Sequence, residues 1–122
     1  MAAAPWTFRI EARDGYLYIH QEGTFETEAD VRAFHRAIEE AATNAGTTRA
    51  LFDNRKTDPA PEDLRAVMWT WFTKTTALQR SAAIINSPRV SRRADKTAER
   101  NRVRVRTFDN EGDALAWLLD GS

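Results

Sequence analysis

The stretch from Val103 to Leu118 constrains this chain more than any other. Val103 and Val105 alternate with Arg104 and Arg106, the two-residue period of a strand with one face turned inward. Asp109 or Asn110 then offers a cap for a last helix, whose inner face is Ala114, Trp117 and Leu118. A strand that runs through a capped turn into a closing helix is a unit of α/β architecture. Arg49-Ala50-Leu51-Phe52-Asp53-Asn54-Arg55 supplies a second strand of the same kind, ending in polar residues.

The rest of the chain follows the same grammar. Thr7 to Ala12 and Tyr16 to Glu22 alternate, with Asp14-Gly15 between them, which predicts an antiparallel hairpin. Phe8 and Ile10 share one face; Leu17 and Ile19 lie opposite Tyr16, Tyr18 and His20. After Gly23-Thr24-Phe25, Thr27 begins a capping-box-like start, and Val31, Phe34, Ile38 and Ala42 recur at helical spacing until Asn44-Ala45-Gly46. Prolines 59 and 61 precede a second helix with Leu64, Val67, Met68, Trp71, Thr75 and Leu78 on one face. Ala82-Ala83-Ile84-Ile85 reads as a strand buried on both faces, and Ser91 to Arg100 as a short basic helix. The order β-β-α-β-α-β-α-β-α predicts one mixed sheet of about five strands, opened by the hairpin and continued by right-handed crossovers.

At 122 residues, the chain suits one domain, 1–122, with a core over about 7–119. It has no cysteine, which excludes disulfides, thiolate metal sites and thiol nucleophiles. The opening Met-Ala-Ala-Ala-Pro-Trp has neither a basic region nor a long apolar run, so a cytoplasmic protein without a signal peptide or membrane span is expected. Eighteen basic and eighteen acidic residues cancel, but unevenly. Residues 89–106 carry Arg89, Arg92, Arg93, Lys96, Arg100, Arg102, Arg104 and Arg106 against Asp95 and Glu99. An anionic partner would therefore meet the last third of the chain.

Three patterns in this order resemble the SpoIIAA-like branch of the STAS-like superfamily, the sulfate transporter and anti-sigma-factor antagonist domains. They are Gly23-Thr24-Phe25 before the first helix, Leu51-Phe52-Asp53-Asn54-Arg55 ending the third strand, and Val103 to Leu118. The resemblance covers about residues 7–119. It implies a sheet with helices packed mainly on one face, and a binding or regulatory role of bacterial type rather than an enzymatic one. Phosphorylatable members carry an Asp-Ser-Ser-Gly type motif after the third strand. Here the segment is Asp53-Asn54-Arg55-Lys56-Thr57-Asp58, so no phosphorylation is expected and Thr57 is the only hydroxyl at hand. The fold is also similar to that of CRAL-TRIO-type lipid carriers, which brings in a lipid-like ligand by analogy.

Four sets of residues are candidates for recognition. Trp69 and Phe72 flank the core face of the second helix; they form a lip of the core, a self-association surface, or a ligand or membrane contact. Arg89, Arg92, Arg93 and Lys96, with Arg100, recur at helical spacing, and Arg102, Arg104 and Arg106 extend them. They are either a solvated face paired with acids elsewhere or a surface for an anionic ligand, an acidic partner protein or a lipid headgroup. No aromatic lies between Arg80 and Thr107, which argues against nucleic acid, since single-strand binders interleave rings for stacking. Asp53 and Arg55 form either a polar rim to a crevice or a loop-ordering pair. His20 and His35 belong to no paired ligand motif.

No nucleophile elbow, phosphate-cradling glycine loop or dinucleotide fingerprint occurs, so no catalytic residue, cofactor or metal is expected. The reading is a non-catalytic module that binds a protein, possibly a second copy of itself as a homodimer. The alternative is a carrier or sensor of a small apolar or amphipathic ligand. A carrier should hold an apolar pocket beneath the second helix; an interaction module should expose an apolar patch around Trp69 and Phe72.

Overall fold

The computed structural model describes residues 6–120. The first five residues, including most of the segment read above as lacking a signal, and the last two lie outside it. The elements are β1 (Thr7–Arg13), β2 (Tyr16–Gly23), α1 (Glu28–Ala45), β3 (Arg49–Thr57), α2 (Glu62–Lys74), β4 (Arg80–Ile84), α3 (Pro88–Asn101), β5 (Val105–Phe108) and α4 (Glu111–Leu118). One five-stranded sheet runs in the order β1-β2-β3-β4-β5, with β1 antiparallel to β2 and every later pair parallel.

That order dictates where the helices go. Each parallel strand is added on the same side of its predecessor, and each crossover is right-handed, so α1, α2 and α3 must all cover one face. Only α4, which follows the last strand, is free to fold back over the other. The core divides accordingly. On the three-helix face, Leu17, Ile19, Ala50, Phe52 and Ala83 meet Val31, Phe34, Ile38 and Ala42 of α1 and Leu64 of α2. On the opposite face, Tyr16, Tyr18, Leu51, Ala82 and Ile84 meet Ala114 and Leu118 of α4. The eight residues of α4 leave the β1–β2 part of this face to a solvated ion-pair row, including Arg9–Glu11 at 3.2 Å and Arg13–Glu11 at 3.0 Å.

Local chemistry sets the boundaries. Gly15 takes a φ of 86° in the hairpin turn. Thr27 accepts from the Asp30 amide while the Asp30 carboxylate accepts from the Thr27 amide, a complete capping box at α1. Gly46, left-handed at φ 66°, ends that helix. Asn110 caps α4 by accepting from the Asp113 amide.

Several boundaries differ from the sequence reading. α3 begins at Pro88, with Ser87 as its cap, rather than at Ser91, and β4 spans Arg80–Ile84 rather than Ala82 to Ile85. β3 is nine residues long and carries Asp53, Asn54 and Arg55 inside the strand rather than beyond its end. α2 stops at Lys74, and Thr75 is extended, so Leu78 is buried from a loop and not from the helix face. β5 begins at Val105. Arg102 instead caps α3 with a left-handed φ of 57°, and the Val103 amide donates to the Ala98 carbonyl. The expected row of strand arginines is therefore broken: Arg106 alone stands in β5, its guanidinium 5.3 Å from the Phe108 ring centroid.

A stacked pair locks α1 to α2. The His35 ring lies 4.1 Å from the Trp71 ring at an interplanar angle of 11°. His35 is 5% exposed, and burial, reinforced by nearby Arg32, pushes its pKa down to about 4. The unfolded chain takes up this proton near pH 6.5, whereas the folded chain refuses it until about pH 4, so stability falls as pH drops through that window. Urea unfolding of wild type should lose about 2 kcal/mol more between pH 7 and pH 5 than the His35→Phe variant does. Equal losses in the two proteins would contradict this role for His35.

Candidate functional site

The sheet's three-helix face is incompletely closed. Between α2 and α3 runs a groove of about 860 Å³. Its floor is Phe52 of β3, Ala83 of β4 and Thr107 of β5; Met68, Trp69 and Phe72 wall one side, and Val90, Ala94 and Thr97 the other. The opening follows from side-chain size. Ala83, Ala94 and Thr97 cannot reach across, and α2 and α3 have one buried residue each, Leu64 and Ala98. α3 is held to the sheet by polar contacts instead. Asp95 accepts from the Thr107 amide at 2.9 Å and from its hydroxyl at 3.0 Å, and the Ser91 and Thr107 hydroxyls bond to each other.

The groove gathers several of the residues singled out in the sequence. Trp69 and Phe72 are half-buried in its wall, their rings 5.8 Å apart, with Phe72 edge-on to Phe52. They line a concavity rather than form an exposed patch; the exposed large apolar side chains among the described residues are Phe8 and Leu119. Arg93 and Lys96 rim the α3 side, joined by Arg100. Arg89 and Arg92 are exposed but do not line the groove. None of these five cations forms an ion pair among the described residues, so pairing with acids elsewhere in the chain does not account for them.

Asp53 and Arg55 lie at the other end, where β2 and β3 fall out of register. His20 pairs with Asp53 and Glu22 with Lys56, so Gln21 alone faces both Asn54 and Arg55. Such a bulge redirects side chains. Here it lets the Arg55 guanidinium turn back onto Asp53, donating at 2.9 and 2.8 Å, while the Arg55 amide donates to the same carboxylate. The Tyr18 hydroxyl donates to it at 2.7 Å. These bonds, Arg55 first, hold the Asp53 carboxyl well below the usual range although it is 3% exposed. Burial, reinforced by the Asp53 bond, pushes the Tyr18 phenol up. With both carboxylate oxygens occupied, His20 Nδ1 sits 3.5 Å from Oδ2 without a hydrogen bond. Gln21, nearly buried, bridges onward: it donates to Asn54 at 2.8 Å and accepts from the Trp6 indole at 3.3 Å.

This end is thus a network in which Asp53, Arg55, Tyr18, Gln21 and Asn54 bond to one another, with His20 Nδ1 left over. Thr57 is drawn into it as well, its hydroxyl donating to the Asn54 carbonyl at 2.8 Å. Sequence reasoning did not find Gln21 or the Tyr18–Asp53 bond. Thirty-five residues separate that last pair, and no local pattern links them. Among the described residues no cluster of three or more His, Asp or Glu side chains could hold a metal ion, and no helix is long and apolar enough to cross a membrane. Replacing Asp53 by Ala strands the Tyr18 hydroxyl and frees Arg55, so it should cost about 3 kcal/mol in urea unfolding, and Asp53→Asn clearly less. Wild-type stability for Asp53→Ala would show that the network carries no load.

Residues 16–119 match the SpoIIAA-like family. No curated protein matches the chain. Among solved structures, it is similar to an uncharacterised DUF3478-family protein with a SpoIIAA-like fold from Shewanella loihica PV-4, with a TM-score of 0.72 at 22% identity over 97% of this chain and 98% of that one. An anti-sigma factor antagonist from Mycobacterium paratuberculosis superposes with a TM-score of 0.70 at 16% identity over 98% and 100% of the two chains. The unphosphorylated anti-sigma factor antagonist SpoIIAA does so with 0.65 at 13% over 95% and 100%. At these identities the structures speak for the fold, a single mixed sheet with helices mainly on one face. The family match covers most of the sequence, and on that ground the chain belongs to the SpoIIAA-like family.

Proposed function

We propose that this chain is a non-catalytic regulatory module that binds a partner protein, with the α2–α3 face as its recognition surface. The observation that carries the reading is the family match over residues 16–119, joined by the fold shared with two anti-sigma factor antagonists. The exposed patch expected of such a module is replaced here by a concavity, which can serve a partner in another way. Trp69 and Phe72 offer rigid apolar anchors in a concavity, and Arg93 and Lys96 flank them as unpaired charges, a combination suited to an anchoring partner with an acidic edge. Asp53 and Arg55 serve this surface indirectly, by fixing the end of β3 that borders it. A cytoplasmic location accompanies the reading, and a second copy of the chain is one partner it allows.

A second reading has its own support. The groove lies beneath α2, is floored mainly by the apolar Phe52 and Ala83, and has the size of small-ligand sites. On this reading the protein carries or senses a small apolar or amphipathic molecule.

The partner reading is tested by comparing wild type with the Trp69→Ala/Phe72→Ala variant in quantitative affinity capture from native cells and in sedimentation. Loss of both rings should weaken a specific complex, hetero- or homomeric, by about 2–4 kcal/mol, at least tenfold in Kd. The same complexes at the same levels with both baits, from a variant whose circular dichroism is unchanged, would sink the assignment of this surface.

A further inference from the structure

The charges around the groove are not mixed evenly along it. Asp58 and Glu62 line the end where α2 begins, beyond the end of β3. The two arginines at that end are engaged: Arg55 is held by Asp53, and Arg65 donates to the Ala60 carbonyl at 2.6 Å. Asp58 and Glu62 themselves form no ion pair among the described residues. Moving along α3 toward the opposite end, the lining becomes basic. Arg93, Lys96 and Arg100 stand three and four residues apart, which places them on one stripe of the helix beside the groove. Of the two acids on α3, Asp95 is turned to the sheet and occupied by Thr107, and Glu99 is exposed, lies outside the groove lining and forms no ion pair among the described residues. An elongated apolar slot therefore has a negative end and a positive flank with no internal counter-ion.

From this arrangement we infer that the groove takes a single-chain amphipathic anion, its apolar chain lying on Phe52, Ala83, Trp69 and Phe72 and its carboxylate or phosphate head held by Arg93, Lys96 and Arg100. The inference rests on the ligand-binding reading above and adds the sign, the place and the orientation of the head. A cationic amphiphile would face the unpaired arginines; a neutral one would leave them as they are. Reversed insertion puts the anion beside Asp58 and Glu62 and is disfavoured by like charge.

The full chain is titrated at neutral pH with decanoate and with decan-1-ol, following Trp fluorescence and calorimetry, and is floated with phosphatidylglycerol vesicles. Wild type should bind one decanoate per chain, and decan-1-ol more weakly. Arg93→Glu/Arg100→Glu, at two exposed positions, should weaken decanoate on the order of tenfold, the scale of two partly screened ion pairs, and leave decan-1-ol unchanged. Ala94→Phe, which fills the slot from α3, should abolish both. Equal binding of the acid and the alcohol, or indifference of decanoate to charge reversal, overturns the anionic head while the ligand-binding reading stands. No binding of either amphiphile overturns both. Vesicle binding without decanoate binding also overturns the inference, by assigning the cations to a membrane surface instead of the groove.

Discussion

Handedness of the crossovers is the constraint on which this molecule depends. Five strands laid down in sequence order, each parallel step right-handed, force three helices onto one face of a small sheet. The first of them is packed as a core helix should be, with Val31, Phe34, Ile38 and Ala42 all buried. The second and third must share what remains, and both are under-buried. α3 reaches the sheet through Ala98 and through the Asp95–Thr107 bonds, a polar attachment that needs little apolar surface and brings none into the space beside it. The groove is the consequence of that attachment.

Two anchoring devices keep the opening from collapsing. The His35–Trp71 stack fixes α2 to α1, with His35 itself reaching the groove lining, and so holds the wall that carries Trp69 and Phe72. The Asp53 network fixes the end of β3 on the opposite sheet face, where Tyr18 and Arg55 share one carboxylate across the bulge. Each holds a buried titratable group, His35 or Asp53, whose protonation state its environment imposes. Neither contacts the α3 cations. Recognition and support are therefore separate sets of side chains, and changes to Arg93 or Arg100 can alter binding without loosening the frame.

Much of this was legible in the sequence, and the failures have physical causes. Strand and helix order followed from period and from caps such as Thr27, Gly46 and Asn110, since these signals are local. The length of β3 was not legible, because Asp53-Asn54-Arg55 looks like a turn until the bulge lets two of its charges neutralise each other within the strand. The arginine row failed for the opposite reason: the alternation at Val103 to Arg106 is that of a strand, but the Arg102 amide first closes α3. Trp69 and Phe72 stood out as rings beside the core. That they line a concavity depends on the smallness of Ala83, Ala94 and Thr97 on two other elements, and no single-helix pattern contains that information.

The central claim is that the face between α2 and α3 is where this molecule binds. Amide chemical-shift mapping of the labelled full chain with decanoate tests it directly. The account predicts perturbations concentrated at residues of α2, at Ala94 to Arg100 of α3, and at the floor around Phe52 and Ala83, with α4 and the β1–β2 ion-pair row silent. Perturbations centred on α4 or on the open face of β1 and β2 would contradict it.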